Sequence, residues 1–469
     1  QNEDPSFDLL FDSQDEGPTD VDRYKANILA DGSTVVAERV SFAPQPQSAM
    51  TIIDQHTGYV KAIIGGRGTK TASLTLNRAT DSTRQPGSTF KIVSTYAAAL
   101  NEKGMTLATT YEDQPITYDN GAPVNNASGS FNGTTTIRTA IRNSVNTVAV
   151  QCFEDVTPEL GLKYLDNFGF TTLAHGTEAD TDANGNVYTD ANLPTALGGL
   201  TYGVKNVELC AAYAAIANGG NYIKPVYYTK ILDHNGNVLI ENNSVGRSVI
   251  KETTAYLLTS ALEDVVQNGT GTACQLDNMA VAGKTGTTDA YNDLWFVGYT
   301  PYYTCAVWSG YDGNQKIPEG DARNFHKTLW RKVMNRIHQG MEYKDFEVPD
   351  GIEQISICAD TGLLPRVGCP VTEEYFDVGT MPTEYCDQHF YEYDESQDED
   401  MEIYDANATP TPDPENPDGT DNADGSGGDG TGGDGTGGDG TGGDGTGGGD
   451  IQYPDESGGD SGNDDIYYY

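Results

Sequence analysis

No run of about 18 apolar residues occurs in the 469 residues, so neither a transmembrane helix nor a signal peptide is read in them. Positive charge is scarce as well. Lys and Arg number 27 against 70 Asp and Glu, a formal net charge of −43, which argues against nucleic acid and anionic lipid as partners. The deficit is uneven: from Tyr391 to Tyr469 there are 23 acidic residues and no Lys or Arg, leaving about −20 on the remainder. That stretch also lacks core-forming residues. It runs through Thr409-Pro410-Thr411-Pro412-Asp413-Pro414 into a repeated Gly-Asp-Gly-Thr-Gly at 428–447, a composition expected to be disordered. The first residue is Gln rather than Met, and the expectation is a piece of something longer.

What is present is organised around Arg84-Gln85-Pro86-Gly87-Ser88-Thr89-Phe90-Lys91 and the run Ile92 to Leu100. Pro86-Gly87 is a turn signal, and the apolar, small residues after it predict a buried helix with Ser88 at its mouth. Unpaired backbone N–H groups and the positive end of the helix dipole point outward there. Lys91, three residues on, projects from the same face. A serine hydroxyl is a poor nucleophile until its proton is taken. A lysine in an apolar setting, its pKa lowered by desolvation and a second cation, can take it. Alone, the pair reads more readily as a capping Ser and a surface Lys, since Ser-x-x-Lys occurs by chance in many proteins. Two further motifs follow in order: Ser144-Val145-Asn146 and Lys284-Thr285-Gly286-Thr287-Thr288.

Ser-x-x-Lys, Ser-x-Asn and Lys-Thr-Gly together resemble the motif set of penicillin-binding proteins and serine β-lactamases. The flanks Leu76-Asn77-Arg78-Ala79-Thr80 and Asp293-Leu294-Trp295-Phe296-Val297-Gly298-Tyr299-Thr300-Pro301 are similar to the transpeptidase domain of bifunctional (class A) penicillin-binding proteins. The resemblance covers roughly residues 45 to 340. It implies an α+β fold, with a central antiparallel sheet flanked by helices and an all-helical side. The expected organisation is a linker remnant at 1–46, the transpeptidase domain at 47–340, a small module with three Cys at 345–390 and the acidic tail at 391–469. Bifunctional relatives carry a membrane anchor and a glycosyltransferase domain before the linker. Neither is read here, so the resemblance implies the extracellular face of the bacterial membrane, with anchoring by an N-terminal part outside this chain.

Met50–Asp54 and Tyr59–Gly66 around Thr57-Gly58 predict a hairpin, which the resemblance places against the helix carrying Ser88. Residues 105–136 read as a loop-dominated excursion, and residues 139–150 as helix, loop and helix. Asn206–Ala217 reads as a core helix without chemistry, Val226–Ile240 as a hairpin, and Thr253–Val266 as an amphipathic helix. Trp295–Thr300 and Tyr303–Ser309 complete the sheet. Ser33–Val40 offers candidate edge strands. Asp180–Gly185 is a solvated turn rather than a calcium loop, because Ala191 stands where a twelfth-position Glu is needed.

The chemistry implied by the resemblance is acyl transfer at a D-Ala–D-Ala terminus of peptidoglycan stem peptides. Ser88 attacks the carbonyl, Lys91 takes its proton, and Ser144 relays that proton to the leaving amine. Asn146 bonds the substrate amide and Lys91, and Lys284 supplies positive potential. Thr285 and Thr287 offer hydroxyls to the terminal carboxylate, with Thr288 beside them. Gly286 keeps the strand open for substrate. The N–H groups of Ser88 and Thr287 form the oxyanion hole. An amine acceptor makes the enzyme a transpeptidase and water makes it a carboxypeptidase; a β-lactam-binding sensor or scaffold without turnover is the alternative outside enzymes. No Glu-x-x-Leu-Asn segment is found to activate a deacylating water, so penicillins are expected to acylate Ser88 and stay attached. No cofactor and no metal is called for.

In the C-terminal module, Cys358, Cys369 and Cys386-Asp387-Gln388-His389 invite a zinc reading. The first two cysteines stand eleven apart, wider than usual zinc spacing, and on an extracellular protein the expectation is a disulfide of Cys358 with Cys369 or Cys386. Cys152, Cys210, Cys274 and Cys305 read as buried thiols.

Overall fold

The computed structural model describes residues 17–29, 34–36, 44–70 and 73–389. Most of the candidate edge strands at Ser33–Val40 and the whole acidic tail lie outside the described residues. Within the segment read as linker, Gly17–Ile28 forms a helix. Among the described residues no helix is long and apolar enough to cross a membrane.

Five strands build the central sheet: β1 (Gln47–Asp54), β2 (Tyr59–Ile64), β3 (Ala282–Thr287), β4 (Asp293–Tyr299) and β5 (Thr304–Gly310). Their spatial order is β3-β4-β5-β1-β2, and every neighbouring pair is antiparallel. The hairpin expected at 50–66 and the strands expected after Lys284 are all in it. Side chains alternate between its faces, as the period of two demands. Ala49, Ile53, Trp295, Val297, Tyr299, Ala306 and Trp308 join the larger core. Met50, Ile52, Phe296, Cys305 and Val307 point the other way, onto Trp330 and Met334 of the helix Phe325–Ile337.

The helix laid against β1 and β5 is Asn206–Ala217, not the one carrying Ser88. Its alanines let the backbone come close, and buried polar bonds fix it. Thr51 Oγ1 donates to Asn206 Oδ1 at 2.6 Å, and Asn206 Nδ2 donates to the Ala306 carbonyl at 3.2 Å. The Ser88-bearing run sits beyond it, tied by Tyr213, whose hydroxyl donates to the Thr89 carbonyl at 2.6 Å. The helix Glu252–Asn268 covers β3. Residues 105–136 are more ordered than a loop, holding two short strand pairs, Thr110–Asp113 with Gly133–Thr136 and Ile116–Thr117 with Pro123–Val124.

The C-terminal module is an antiparallel hairpin of β6 (Ile352–Cys358) and β7 (Val371–Asp377). Its own apolar cluster is small: Ile357 and Phe376 pack on Ala108 of the main domain. Ile352 and Tyr375 pack on the main core, Tyr375 edge-on to Tyr256, and polar contacts add to the docking. Arg138 meets the buried Glu374 in a two-pronged pair, both contacts 2.6 Å, and Thr253 Oγ1 donates to Asp377 Oδ2 at 2.8 Å. The disulfide expected in this module is not formed; Cys358, Cys369 and Cys386 are free thiols, as are the four buried cysteines of the main domain.

Candidate active site

Ser88 stands in a tight turn, Gly87–Thr89, whose continuation through Phe90 and Lys91 enters a π-helical turn at Ile92–Tyr96 and then Ala97–Glu102. Phe90, Ile92, Val93, Tyr96 and the three alanines after it are fully buried, so the helix is anchored by packing on all sides. Ser88 itself is half-buried. π-helical turns of this kind occur frequently at functional sites.

The Ser88 turn is pressed on the Lys-Thr-Gly strand without room for a side chain between them. Gly87 has φ +55°, and a Cβ there would fall 2.8 Å from the Thr287 carbonyl oxygen and 3.1 Å from its nitrogen. Gly286 meets the same contact from the other side: its Cβ would lie 2.5 Å from the Pro86 carbonyl oxygen and 2.8 Å from Thr89 Cγ2. Gly286 therefore serves the docking of the Ser88 turn, where the expectation was that it leaves space for substrate. Trp295 Nε1 donates to the Gln85 carbonyl at 2.9 Å. The Gln85 amide exchanges hydrogen bonds with Leu200, at 2.7 and 2.8 Å. Leu197-Gly198-Gly199-Leu200, which the sequence suggests only as part of a small-residue core helix without chemistry, thereby clamps the turn from behind.

Lys91 is fully buried, and its Nζ lies within hydrogen-bonding distance of four oxygens: Asn146 Oδ1 at 2.6 Å, Ser144 O at 2.8 Å, Val145 O at 3.2 Å and Ser144 Oγ at 3.4 Å. None is a carboxylate. Burial holds the Lys91 pKa well below the usual lysine value, and the positive charge of Lys284 pushes it the same way. Lys284, also fully buried, is brought down to about 7 by desolvation. The Ser-x-x-Lys, Ser-x-Asn and Lys-Thr-Gly motifs are thus brought into one place, over sequence separations of roughly 50 and 200 residues.

Ser144 and Asn146 fall in a sharp junction between the helices Ile137–Asn143 and Asn146–Val156. Ser144 adopts a left-handed backbone, φ 58° and ψ 41°, and its N–H closes the first helix on Ala140 and Ile141. A non-glycine residue pays strain in that region, and such strain concentrates at functional sites. The reward is that the Ser144 and Val145 carbonyls and the Ser144 hydroxyl all turn to Lys91.

Asn146 is held from outside by residues that sequence reasoning missed. Its Nδ2 donates to the Asn125 carbonyl at 2.6 Å and its N–H to Asn126 Oδ1 at 2.8 Å. Asn126 in turn donates to the buried Asp113 at 2.7 Å, which also takes the Thr147 hydroxyl at 2.6 Å. Asp and Asn in a Gly- and Thr-rich segment carry no spacing signal, so nothing in the sequence marks them.

Among the residues expected to meet substrate, Thr287 is exposed, and Thr285 shares a 2.8 Å hydrogen bond with Thr270. Thr288 is bonded to Asp293. Its hydroxyl accepts from the Asp293 N–H at 2.9 Å and its N–H donates to the Asp293 carbonyl, which closes the β3–β4 turn. A cleft of about 420 Å³ opens beside Ser144, lined among others by Asn126, Ser130, Asn268 and Thr270. The flank Leu76–Thr80 contributes Arg78, which grips Asp312 with two bonds of 2.5 Å, while Arg84 lies over the Trp308 ring at 4.8 Å.

Residues 48–335 match the penicillin binding protein transpeptidase domain, and residues 348–391 match the C-terminal domain of penicillin-binding protein 1A. Penicillin-binding protein 1A of Clostridium tetani is 34% identical over 362 residues, 74% of this chain and 45% of that protein. Penicillin-binding protein 1A/1B of Bacillus subtilis is 29% identical over 383 residues, 76% of this chain and 39% of that one. The chain spans less than half the length of these relatives. Among solved structures, the PonA1 protein from Mycobacterium tuberculosis in complex with penicillin V is 26% identical with a TM-score of 0.57, covering 72% of this chain and 86% of that one. Penicillin-binding protein 1A from Haemophilus influenzae has the same fold at 24% identity, with a TM-score of 0.62 over 74% of this chain and 55% of that one. A shared fold, three motifs converging on one buried lysine, and a family match over most of the described residues agree: the chain belongs to the penicillin-binding protein transpeptidase family.

Proposed function

We propose that the chain is a D,D-transpeptidase that cross-links peptidoglycan stem peptides through a Ser88 acyl-enzyme, at the extracellular face of the cytoplasmic membrane. The observation that carries this is the state of Lys91: buried, beside a second cation, and hydrogen-bonded only to uncharged oxygens. Such a lysine is a base at neutral pH rather than a fixed cation.

In acylation the Ser88 Oγ–H proton passes to Lys91 Nζ as Oγ bonds to the carbonyl carbon of the penultimate D-alanine. The developing oxyanion is met by the N–H groups of Ser88 and Thr287, a pair worth about 3 kcal/mol per donor in comparable sites. The carbon–nitrogen bond then breaks. Lys91 returns the proton through the Ser144 hydroxyl, 3.4 Å away, to the amine of the departing D-alanine. Thr285 and Thr287 hydroxyls and the Lys284 charge hold the terminal carboxylate. An amine of a neighbouring stem peptide attacks the ester carbon, gives its proton to Lys91, and releases Ser88.

The test is intact-mass spectrometry of the chain and of Ser88→Ala after incubation with a penicillin, followed by a D-Ala–D-Ala donor peptide with and without an amine acceptor. An adduct equal to the whole drug in the wild type alone, and a product joined to the amine, are expected. A folded wild type that takes no drug overturns the reading. Rapid drug hydrolysis points to a β-lactamase, and release of D-alanine to water alone, with amine ignored, to a carboxypeptidase.

A further inference from the structure

Four side chains with soft or borderline ligand atoms meet in the C-terminal module, none of them among the candidate active-site residues. The sulfurs of Cys358, Cys369 and Cys386 and a ring nitrogen of His389 all lie within 4.8 Å of one another. Cys358 and Cys386 are fully buried. We propose that these four residues bind one structural zinc ion in a tetrahedral Cys3His site.

The wide sequence spacing that argued against zinc is closed by the hairpin. Cys358 ends β6 and stands in register with Val371, the first residue of β7, so residues 359–370 loop out and return Cys369 beside it. The loop is pinned across its neck: the Cys358 N–H donates to the Leu363 carbonyl and the Ala359 N–H to the Pro370 carbonyl, both at 2.8 Å. The third segment is laid on by backbone pairing too. The Leu364 N–H donates to the Glu384 carbonyl at 2.9 Å, and the Cys386 N–H to the Leu364 carbonyl at 2.8 Å. Three pieces of chain are thus joined at one point, with Cys386 and His389 entering from the same piece.

The geometry suits a tetrahedral ion. Zinc–sulfur bonds of about 2.3 Å and zinc–nitrogen bonds of about 2.0 Å put neighbouring ligand atoms roughly 3.5–3.8 Å apart. Here His389 Nδ1 stands 3.6 Å from the Cys358 sulfur and 3.2 Å from that of Cys386. A disulfide joins two sulfurs and leaves a third cysteine and the histidine without a role. Outside the four ligands, His389 Nε2 is 3.2 Å from Asp360 Oδ2. A carboxylate on the far ring nitrogen is the arrangement that fixes a metal-ligating histidine and keeps its other nitrogen proton-free. The Arg366 N–H donates to the Cys369 sulfur at 3.2 Å, spreading thiolate charge into the backbone.

The module has a reason to need such a staple. Its private apolar cluster is small, Ile357 and Phe376 on Ala108 of the main domain with the half-buried Ile355 and Met381 beside them, and domains too small to bury a core are held by metals or disulfides. Zinc affinity here becomes folding free energy of the hairpin.

The full chain, expressed with zinc and purified both with and without reductant, is analysed by native mass spectrometry and elemental analysis. One zinc per chain and seven titratable thiols in denaturant are expected. Cobalt(II) substitution should give visible thiolate-to-metal charge-transfer absorption. Cys369→Ser and His389→Ala should lose stoichiometric zinc. Asp360→Asn, which keeps all four ligands, should bind it about 10–100-fold more weakly. A chain free of zinc in both preparations, or one lighter by two protons with Cys358 bonded to Cys369 or Cys386, overturns the proposal. So does retention of stoichiometric zinc by the ligand variants.

Discussion

The Nζ of Lys91 lies 2.6 Å from Oδ1 of Asn146, and the same amide donates outward to the Asn125 carbonyl. The amide therefore has one orientation, oxygen to the lysine and nitrogen to the loop. A neutral oxygen accepts from an amine or an ammonium alike, so the contact positions Lys91 without forcing it to be charged. Replacing Asn146 with Asp places a carboxylate at that distance and raises the Lys91 pKa. Penicillin acylation of Asn146→Asp at neutral pH is expected to fall by about 10²–10⁴-fold. It should recover partly as pH rises, because alkali again deprotonates Lys91. The rate–pH profile of acylation, compared with Asn146→Ala, reads this directly; a pH-independent loss would contradict it.

Lys284 makes stability depend on pH in a sense opposite to a salt-bridged lysine. Its pKa is about 7 when folded and near 10.5 in the unfolded chain, so between those values the unfolded state holds the extra proton. Stability from this group rises with pH across that window, and its destabilising effect is complete below about pH 7. Lys284→Met should raise Tm at pH 6–7 by several degrees, at about 2–4 °C per kcal/mol for a domain of this size, while activity is lost. The Tm gap between variant and wild type should narrow from pH 7 to pH 10.

Gly286→Ala should leave the fold intact and slow acylation. The added carbon meets the Pro86 carbonyl at 2.5 Å, so the nucleophile turn must move away from the strand. A displacement approaching 1 Å costs on the order of 100-fold in an oriented reaction. Stopped-flow acylation, with circular dichroism as the fold control, distinguishes this from unfolding. A wild-type rate would show that the turn tolerates the shift.

Arg138 and Glu374 join the C-terminal module to the main domain through a pair whose carboxylate is 4% exposed. Losing one partner of a buried pair costs about 3–5 kcal/mol, because the other charge stays behind unpaired. Glu374→Gln keeps the shape and removes the charge. It should lower denaturant stability within that range, and the double variant with Arg138→Met should recover part of the loss. Additive losses in the four-member cycle would rule out a direct pair.

The catalytic candidates were legible because each motif is short and local: Ser88 and Lys91 share one helical run, Ser144 and Asn146 one junction, and Lys284 to Thr288 one strand and its turn. The supports were not legible. Asp113 and Asn126 act through hydrogen bonds across a segment whose composition says only that it turns. The Gln85–Leu200 clamp joins residues with no shared pattern. The packing around Gly286 was not legible, because a sequence cannot tell which neighbour a missing side chain makes room for. The helix against β1 was misplaced for a related reason, since Asn206–Ala217 and the Ser88 run are both small and apolar. The gathering of the module's cysteines was not legible either, because linear spacing ignores a hairpin that folds residues 358 and 369 together.

The sheet order carries a consequence for how the protein comes to be. β1 pairs with β5, so Gln47 lies opposite Gly310, and the sheet has no interior until both are present. A chain emerging N-terminus first presents Ser88 and Lys91 long before Lys284 exists to complete the site. Pairing over such distances is slow to nucleate. On the proposed mechanism the nucleophile is therefore armed last, and a product truncated before about residue 310 is expected to carry the serine without the reactivity, invisible to a drug that reads only the finished site.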